Sequence, residues 1–159
     1  MTSEHLLHIA FTVPDLEAAE AYYTELFDMQ LITREAPGPG GGWQLPHDKD
    51  WSDARQAGIQ LYMLALRRGD MVLALFDETS PVVSERSAPV RPFIVGLQMD
   101  PDEIARVCAR LGSDETIRTQ AGGGDGRCEF RDRYGIVWQV KPHGEFVGNG
   151  DGSDRWLEL

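Results

Sequence analysis

His8-Ile9-Ala10-Phe11-Thr12-Val13-Pro14-Asp15-Leu16 alternates between small or polar residues and bulky apolar ones, then breaks at a proline. The alternation runs from Leu6 to Val13 and predicts a strand. Leu7, Ile9, Phe11 and Val13 share one face, and His8, Ala10 and Thr12 share the other. Pro14-Asp15 opens a helix with Asp15 placed to cap it, and Leu16, Ala19, Tyr23, Leu26 and Phe27 fall on one side of that helix.

The same programme restarts further along the chain. Phe93 to Met99 alternates, with Phe93, Val95, Leu97 and Met99 opposite Ile94, Gly96 and Gln98. Asp100, Pro101 and Glu103 make a helix start with a capping box, Ile104, Val107, Cys108 and Leu111 form the buried stripe, and Gly112 stops it. Val13 and Met99 hold equivalent places, 99 − 13 = 86 residues apart. After the first helix, strands are expected at Gln30–Glu35, Ile59–Leu66 and Met71–Phe76, the last two joined by a turn at Arg67–Asp70. After the second helix they are expected at 116–120, 127–131 and 136–141, with Asp132-Arg133-Tyr134-Gly135 as the final turn. Each half therefore reads β-α-β-β-β, the first lengthened by a Pro/Gly-rich loop that begins at Pro37 and continues to Gly58.

Parity separates the two faces of the strands. Leu7, Ile9, Phe11, Val13, Phe93, Val95, Leu97, Met99, Trp138 and Val140 need cover from the helices. The opposite face carries His8, Ala10, Thr12, Ala74, Gly96, Gln98, Gln139 and Lys141. It has too little volume and too many polar groups for a close-packed core, so it is expected to line a cavity. The net charge is −11, and only two of the fifteen basic residues are lysines, which argues against a nucleic-acid partner. No apolar run approaches the roughly 20 residues needed to cross a bilayer, and no secretion signal opens the chain. Cys108 and Cys128 form neither a disulfide framework nor a zinc motif, so a reducing, cytoplasmic protein is expected.

The opening His8–Leu16, the continuation Ala21-Tyr22-Tyr23 and Leu26-Phe27, and the closing Asp132-Arg133-Tyr134-Gly135-Ile136-Val137-Trp138-Gln139-Val140 resemble the vicinal oxygen chelate family. This is the glyoxalase, bleomycin-resistance and dioxygenase group, and the closing run is of its PhnB-like kind. The resemblance frames residues 6–142. It implies one α+β domain over 1–159, with βαβββ modules at 6–78 and 91–142 and a tail at 143–159. The modules would form a curved, incompletely closed eight-stranded mixed sheet around a central cavity, helices outside. Metal-dependent members place one ligand on each of four strands, and by position these places fall on His8, Ala74, Ile94 and Gln139. Ala74 and Ile94 have no donor atom and Gln139 brings no charge, so no metal or other cofactor is expected. His8, Gln139 and Glu78 remain the weak metal candidates, with His47 or Asp48 able to swing in from the loop.

The expected function is binding. A small, partly apolar molecule would be sequestered or carried, as bleomycin-resistance proteins do, by His8, Thr12, Trp43, Trp51, Ala74, Ile94, Gly96, Gln98 and Gln139. The ligand would be neutral or cationic, with an aromatic or heterocyclic part beneath Trp43 or Trp51. Parity leaves open whether Arg34, Arg118 and Arg131 converge on it. His8 is either a hydrogen-bonding or acid–base group, and so the catalytic candidate, or is simply held by Gln139. The alternative is a metal-dependent lyase, isomerase or dioxygenase of the glyoxalase type using His8, Gln139 and non-standard ligands. The resemblance further implies a homodimer. Trp156-Leu157-Glu158-Leu159 is expected to dock on a surface, and no membrane partner is expected.

Overall fold

The computed structural model describes residues 8–39, 41–80, 94–119 and 126–143. The expected strand starts at Leu6 and Phe93, the glycine run at 122–124 and the apolar end of the tail lie outside them. The chain divides into two compact units, Met1–Arg91 and Pro92–Leu159. Each is a strand–helix–strand module, and the architecture is α+β, with an open sheet in each module among the described residues.

In the first module, β1 (Ile9–Val13), α1 (Leu16–Phe27), β2 (Gln30–Gly38), β3 (Gly41–Gln44), α2 (Trp51–Gln56), β4 (Met63–Arg68) and β5 (Met71–Asp77) follow in order. The sheet order is β1-β5-β4-β2-β3, with β1 parallel to β5 and the other pairs antiparallel. The Asp15 side chain accepts from the Ala18 N–H at 2.9 Å and starts α1. The helix ends at Asp28, whose left-handed φ of 52° an aspartate tolerates better than most residues do. Leu16, Ala19, Tyr22, Tyr23, Leu26 and Phe27 are buried, and α1 packs on β4 and β5. They cover the face expected from parity: Phe11, Val13, Leu64, Leu66, Leu73 and Leu75 are all buried. Each such side chain contributes about 1.5–3 kcal/mol by leaving water.

The second module runs β6 (Val95–Gln98), α3 (Pro101–Arg110), β7 (Thr116–Thr119), β8 (Cys128–Arg131) and β9 (Val137–Lys141), with sheet order β6-β9-β8-β7. Ile104 and Val107 of α3 are buried, as are Val95, Cys128, Phe130, Trp138 and Val140 of the sheet. Trp138 is core, as its parity predicts. Its indole N–H donates to Asp132 at 2.7 Å, and the same buried carboxylate accepts from the Tyr134 and Ile136 N–H groups, each at 2.9 Å. One aspartate thus folds the final turn and anchors the largest core side chain.

The 86-residue repeat extends to an irregularity. In β2 the register shifts between Leu31 and Thr33, and in β7 it shifts between Ile117 and Thr119, where 117 − 31 = 86. The described strands form one mixed sheet in each module, of five and of four, as the two-module reading expects, and two features depart from the expected pattern. The ninth strand, β3, arises because the glycine-rich segment folds back on β2, pairing Ala36 with Trp43. Finally, the expected strand Ile59–Leu66 begins only at Met63, the Ile59 N–H being still bonded to the Ala54 carbonyl at the end of α2 at 2.9 Å. The cap of α2 is legible in retrospect. Asp50 and Asp53 exchange backbone-to-carboxylate bonds at 3.0 Å, a capping box written with two aspartates.

Candidate functional site

The face of the first sheet turned away from α1 is built in cross-strand rows. Register places Ala10 beside Ala74, Ala74 beside Ala65, and Ala65 beside Thr33. This is a floor of methyl groups ending in a hydroxyl. Ala65 and Ala74 are buried, and Thr33 is 8% exposed with its Oγ1 lacking a hydrogen-bond partner among the described residues. A buried hydroxyl without a partner costs about 1–3 kcal/mol, so it marks a place where a polar partner belongs.

The next row runs Thr12–Phe76–Met63–Glu35, all half-buried. Tyr62, just ahead of β4, joins it. Its ring lies 6.2 Å from that of Phe76 at 49°, and its phenol is hydrogen-bonded to the Glu35 carboxylate. Burial, then the Glu35 charge, then that hydrogen bond hold the Tyr62 phenol above its ordinary value of 10.0. Both groups lie over Gly42. A Cβ there would stand 2.1 Å from Glu35 Oε2 and 2.7 Å from the Tyr62 hydroxyl, so glycine leaves the space the pair occupies. No cation pairs with Glu35 among the described residues.

In the second module the equivalent row is Gly96–Gln139–Glu129–Thr119. Where the first module has alanines, this one has an amide donating to a carboxylate: Gln139 Nε2 to Glu129 Oε2 at 3.3 Å. Gly96 is exposed with open space where a side chain would project, Gln98 is exposed, and Ile94 is half-buried. Parity assigned Gly96, Gln98 and Gln139 to this side, and they lie there.

The two loop tryptophans separate. Trp43 is 62% exposed and lies across Gly38, where a Cβ would fall 2.3 Å from its ring, and its indole donates to the Pro39 carbonyl at 3.1 Å. With Pro37, Pro39, Leu45, Ile59 and Leu61 it lines a hollow of about 450 Å³ that has no charged side chain in its wall. Trp51, the other candidate for covering a ligand, is absent from that wall. Its indole donates to Glu20 at 2.8 Å, while Arg34 forks onto the same carboxylate at 2.5 and 2.7 Å and sits 5.5 Å from the Trp51 ring centre. Trp51 is thus an anchor for α2, and Arg34 is spent on the α1 side of the sheet. Arg131 is likewise committed, to the Gly135 carbonyl at 2.8 Å, and the Arg118 side chain lies outside the described residues.

His8 is exposed, one residue before β1. Glu78 is not on a strand: β5 ends at Asp77, whose carboxylate caps Thr79, and Glu78 stands in that turn, at the rim of the sheet. His47 and Asp48 are exposed. Among the described residues, no three histidine, cysteine, aspartate or glutamate side chains gather as a metal-binding group.

The residues missed from sequence are Thr33, Glu35, Tyr62 and Glu129. Glu129 was available, since it alternates with the core residues Cys128 and Phe130. Thr33 and Glu35 were hidden by the bulge. Leu31 pairs with core Leu66, and continuing that parity puts Thr33 and Glu35 on the wrong face.

The family model for the Glyoxalase/Bleomycin resistance protein/Dioxygenase superfamily matches residues 5–140, and the chain belongs to that superfamily. No curated protein matches it. Among solved structures it is similar to TioX from Micromonospora sp. ML1, with 14% identity over 89% of this chain and 100% of that one and a TM-score of 0.59. It is also similar to the fosfomycin resistance protein FosX from Listeria monocytogenes, solved as a point mutant with Mn(II) and 1S,2S-dihydroxypropylphosphonic acid. That match has 11% identity over 90% of this chain and 95% of that one, and a TM-score of 0.59. A Vibrio cholerae integron cassette protein matches at 19% identity over 91% and 98%, with a TM-score of 0.52. At these identities the likeness is one of fold.

The four positions that the resemblance assigns to metal ligands do not fit such a centre. Ala74 is walled by the methyls of Ala10 and Ala65, Ile94 offers no donor, and the Gln139 amide already donates to Glu129. No helix among the described residues is long and apolar enough to cross a membrane.

Proposed function

We propose that the protein binds a small, partly apolar molecule and sequesters or carries it, without the metal centre of the metal-dependent members of its superfamily. The observation that carries this is the floor Ala10–Ala74–Ala65 ending in the buried, unpartnered hydroxyl of Thr33. Methyl groups and one unsatisfied hydroxyl provide apolar contact with a single polar anchor, which is how small-molecule sites are usually composed. FosX is a resistance protein, which supports a role directed at a small molecule. We further propose that it is cytoplasmic, in keeping with its two free cysteines, and that it is a homodimer, as its family resemblance implies.

A metal-dependent lyase, isomerase or dioxygenase is the second possibility, favoured by Glu129 standing on the same face as Gln139. Metal content separates the two. Protein dialysed against Zn²⁺, Ni²⁺, Mn²⁺ and Fe²⁺ should retain far less than one equivalent by elemental analysis. One equivalent, lost on His8→Ala or Glu129→Ala, would overturn the binding proposal in favour of the enzyme.

A further inference from the structure

We propose that Glu35, with the rings of Tyr62 and Phe76, forms a recognition point for a primary or secondary ammonium group on the ligand. This rests on the small-molecule binding proposed above and names the charge of what is bound.

Glu35 is half-buried, and the bonded partner of its carboxylate is a neutral phenol, which satisfies a fraction of that group's roughly four acceptor sites. A carboxylate removed in part from water calls for a countercharge, and none is supplied by the described residues. Beside it stand two aromatic rings, 6.2 Å apart and tilted by 49°, whose faces carry the negative quadrupole that attracts cations. Two residues along the same strand, on the same side, Thr33 presents its buried, unpartnered Oγ1. That observation is independent of Glu35 and points to a missing polar partner on the same side of the strand. An ammonium N–H donates to the Glu35 carboxylate, and a quaternary ammonium, having no N–H, cannot. Thr12 closes the row across Phe76, and the alanine floor accommodates an apolar body attached to the charged group.

Gly42 keeps the arrangement reachable, because any side chain there would stand where the carboxylate and phenol lie. The net charge of −11 draws cations towards the molecule. The hollow beneath Trp43 has no charged wall and makes no such demand on ligand charge.

The test uses three probes with the same ring and different charge: benzylammonium, benzyl alcohol and benzoate. They are titrated into isotopically labelled full-length protein and followed by NMR. Benzylammonium should bind at least tenfold more tightly than benzyl alcohol and perturb Thr33, Glu35 and Tyr62, while benzoate shows no measurable binding. Glu35→Gln should reduce the ammonium to the affinity of the alcohol, and Glu35→Asp, which keeps the charge on a shorter arm, should retain part of the preference. Circular dichroism confirms that both variants are folded. Equal binding of ammonium and alcohol, or a preference that survives Glu35→Gln, overturns the proposal and leaves small-molecule binding standing. Failure of every probe to perturb this face overturns it as well, whereas one equivalent of bound metal would strike at the proposed function itself.

Discussion

Replacing Gly42 with alanine adds one methyl group at the point where the candidate site is most crowded. Its Cβ would lie 2.1 Å from Glu35 Oε2 and 2.7 Å from the Tyr62 hydroxyl, where real Cβ contacts stay beyond 3.0 Å. The carboxylate must retreat by 3.0 − 2.1 = 0.9 Å or more, which breaks its bond to the phenol. The clashing atoms are side-chain ends, so they swing away and the backbone stays. A hydrogen bond to a charged group is worth about 1.5–3 kcal/mol, but both groups are half-exposed and rehydrate, which leaves a loss of about 1 kcal/mol or less. Alanine in a strand recovers roughly 0.5–1 kcal/mol over glycine, so urea denaturation should show stability almost unchanged.

The phenol reports the break. Burial, the Glu35 charge and the hydrogen bond hold Tyr62 above 10.0, and the variant weakens the last two while burial remains. Ultraviolet titration of tyrosinate should therefore show the Tyr62 step, identified by its absence in Tyr62→Phe, moving part of the way back towards 10.0. A phenol raised in the folded state contributes stability that is complete below about pH 10 and lost as pH climbs through its folded value. The variant should show a shallower alkaline loss than wild type. An unmoved Tyr62 titration, or a loss of several kcal/mol, would refute the crowding described over Gly42.

Two further outcomes test the second module. Asp132→Ala removes the acceptor of the Tyr134, Ile136 and Trp138 N–H groups and should cost about 3 kcal/mol or more by urea denaturation, with Asp132→Asn recovering part of it. Gly96→Phe should remain folded because open space lies where its side chain projects, whereas Val95→Asp, on the buried face, should cost several kcal/mol; the reverse pattern would show the faces exchanged.

The two modules were legible because hydrophobic alternation is a local signal. Phe11 and Val13, and their counterparts Leu97 and Met99, carry it without help from distant chain, and so does the buried Trp138. The site was less legible because it depends on departures from regularity. A single bulged residue between Leu31 and Thr33 inverts the facing of Glu35, and a strand that starts at Met63 leaves Tyr62 outside any alternation. Partners distant in sequence are equally invisible. Trp43 and Trp51 look alike in composition, and only Glu20, 31 residues from Trp51, makes the latter an anchor.

The parallel pair β1–β5 has a consequence for the order in which the first module assembles. Its register joins Ile9 to Leu73, closing 73 − 9 = 64 residues of chain, whereas β4 and β5 meet across a turn of two, Gly69 and Asp70. Loop closure grows dearer with length, so the hairpin zips early and β1 is the last strand to join. That late strand carries Ala10 and Thr12, with His8 just ahead of it, one edge of the floor on which a ligand would rest. A bound molecule spanning Thr12 and Glu35 would then act as a latch across the sheet from β1 to β2, holding shut what the chain closes last.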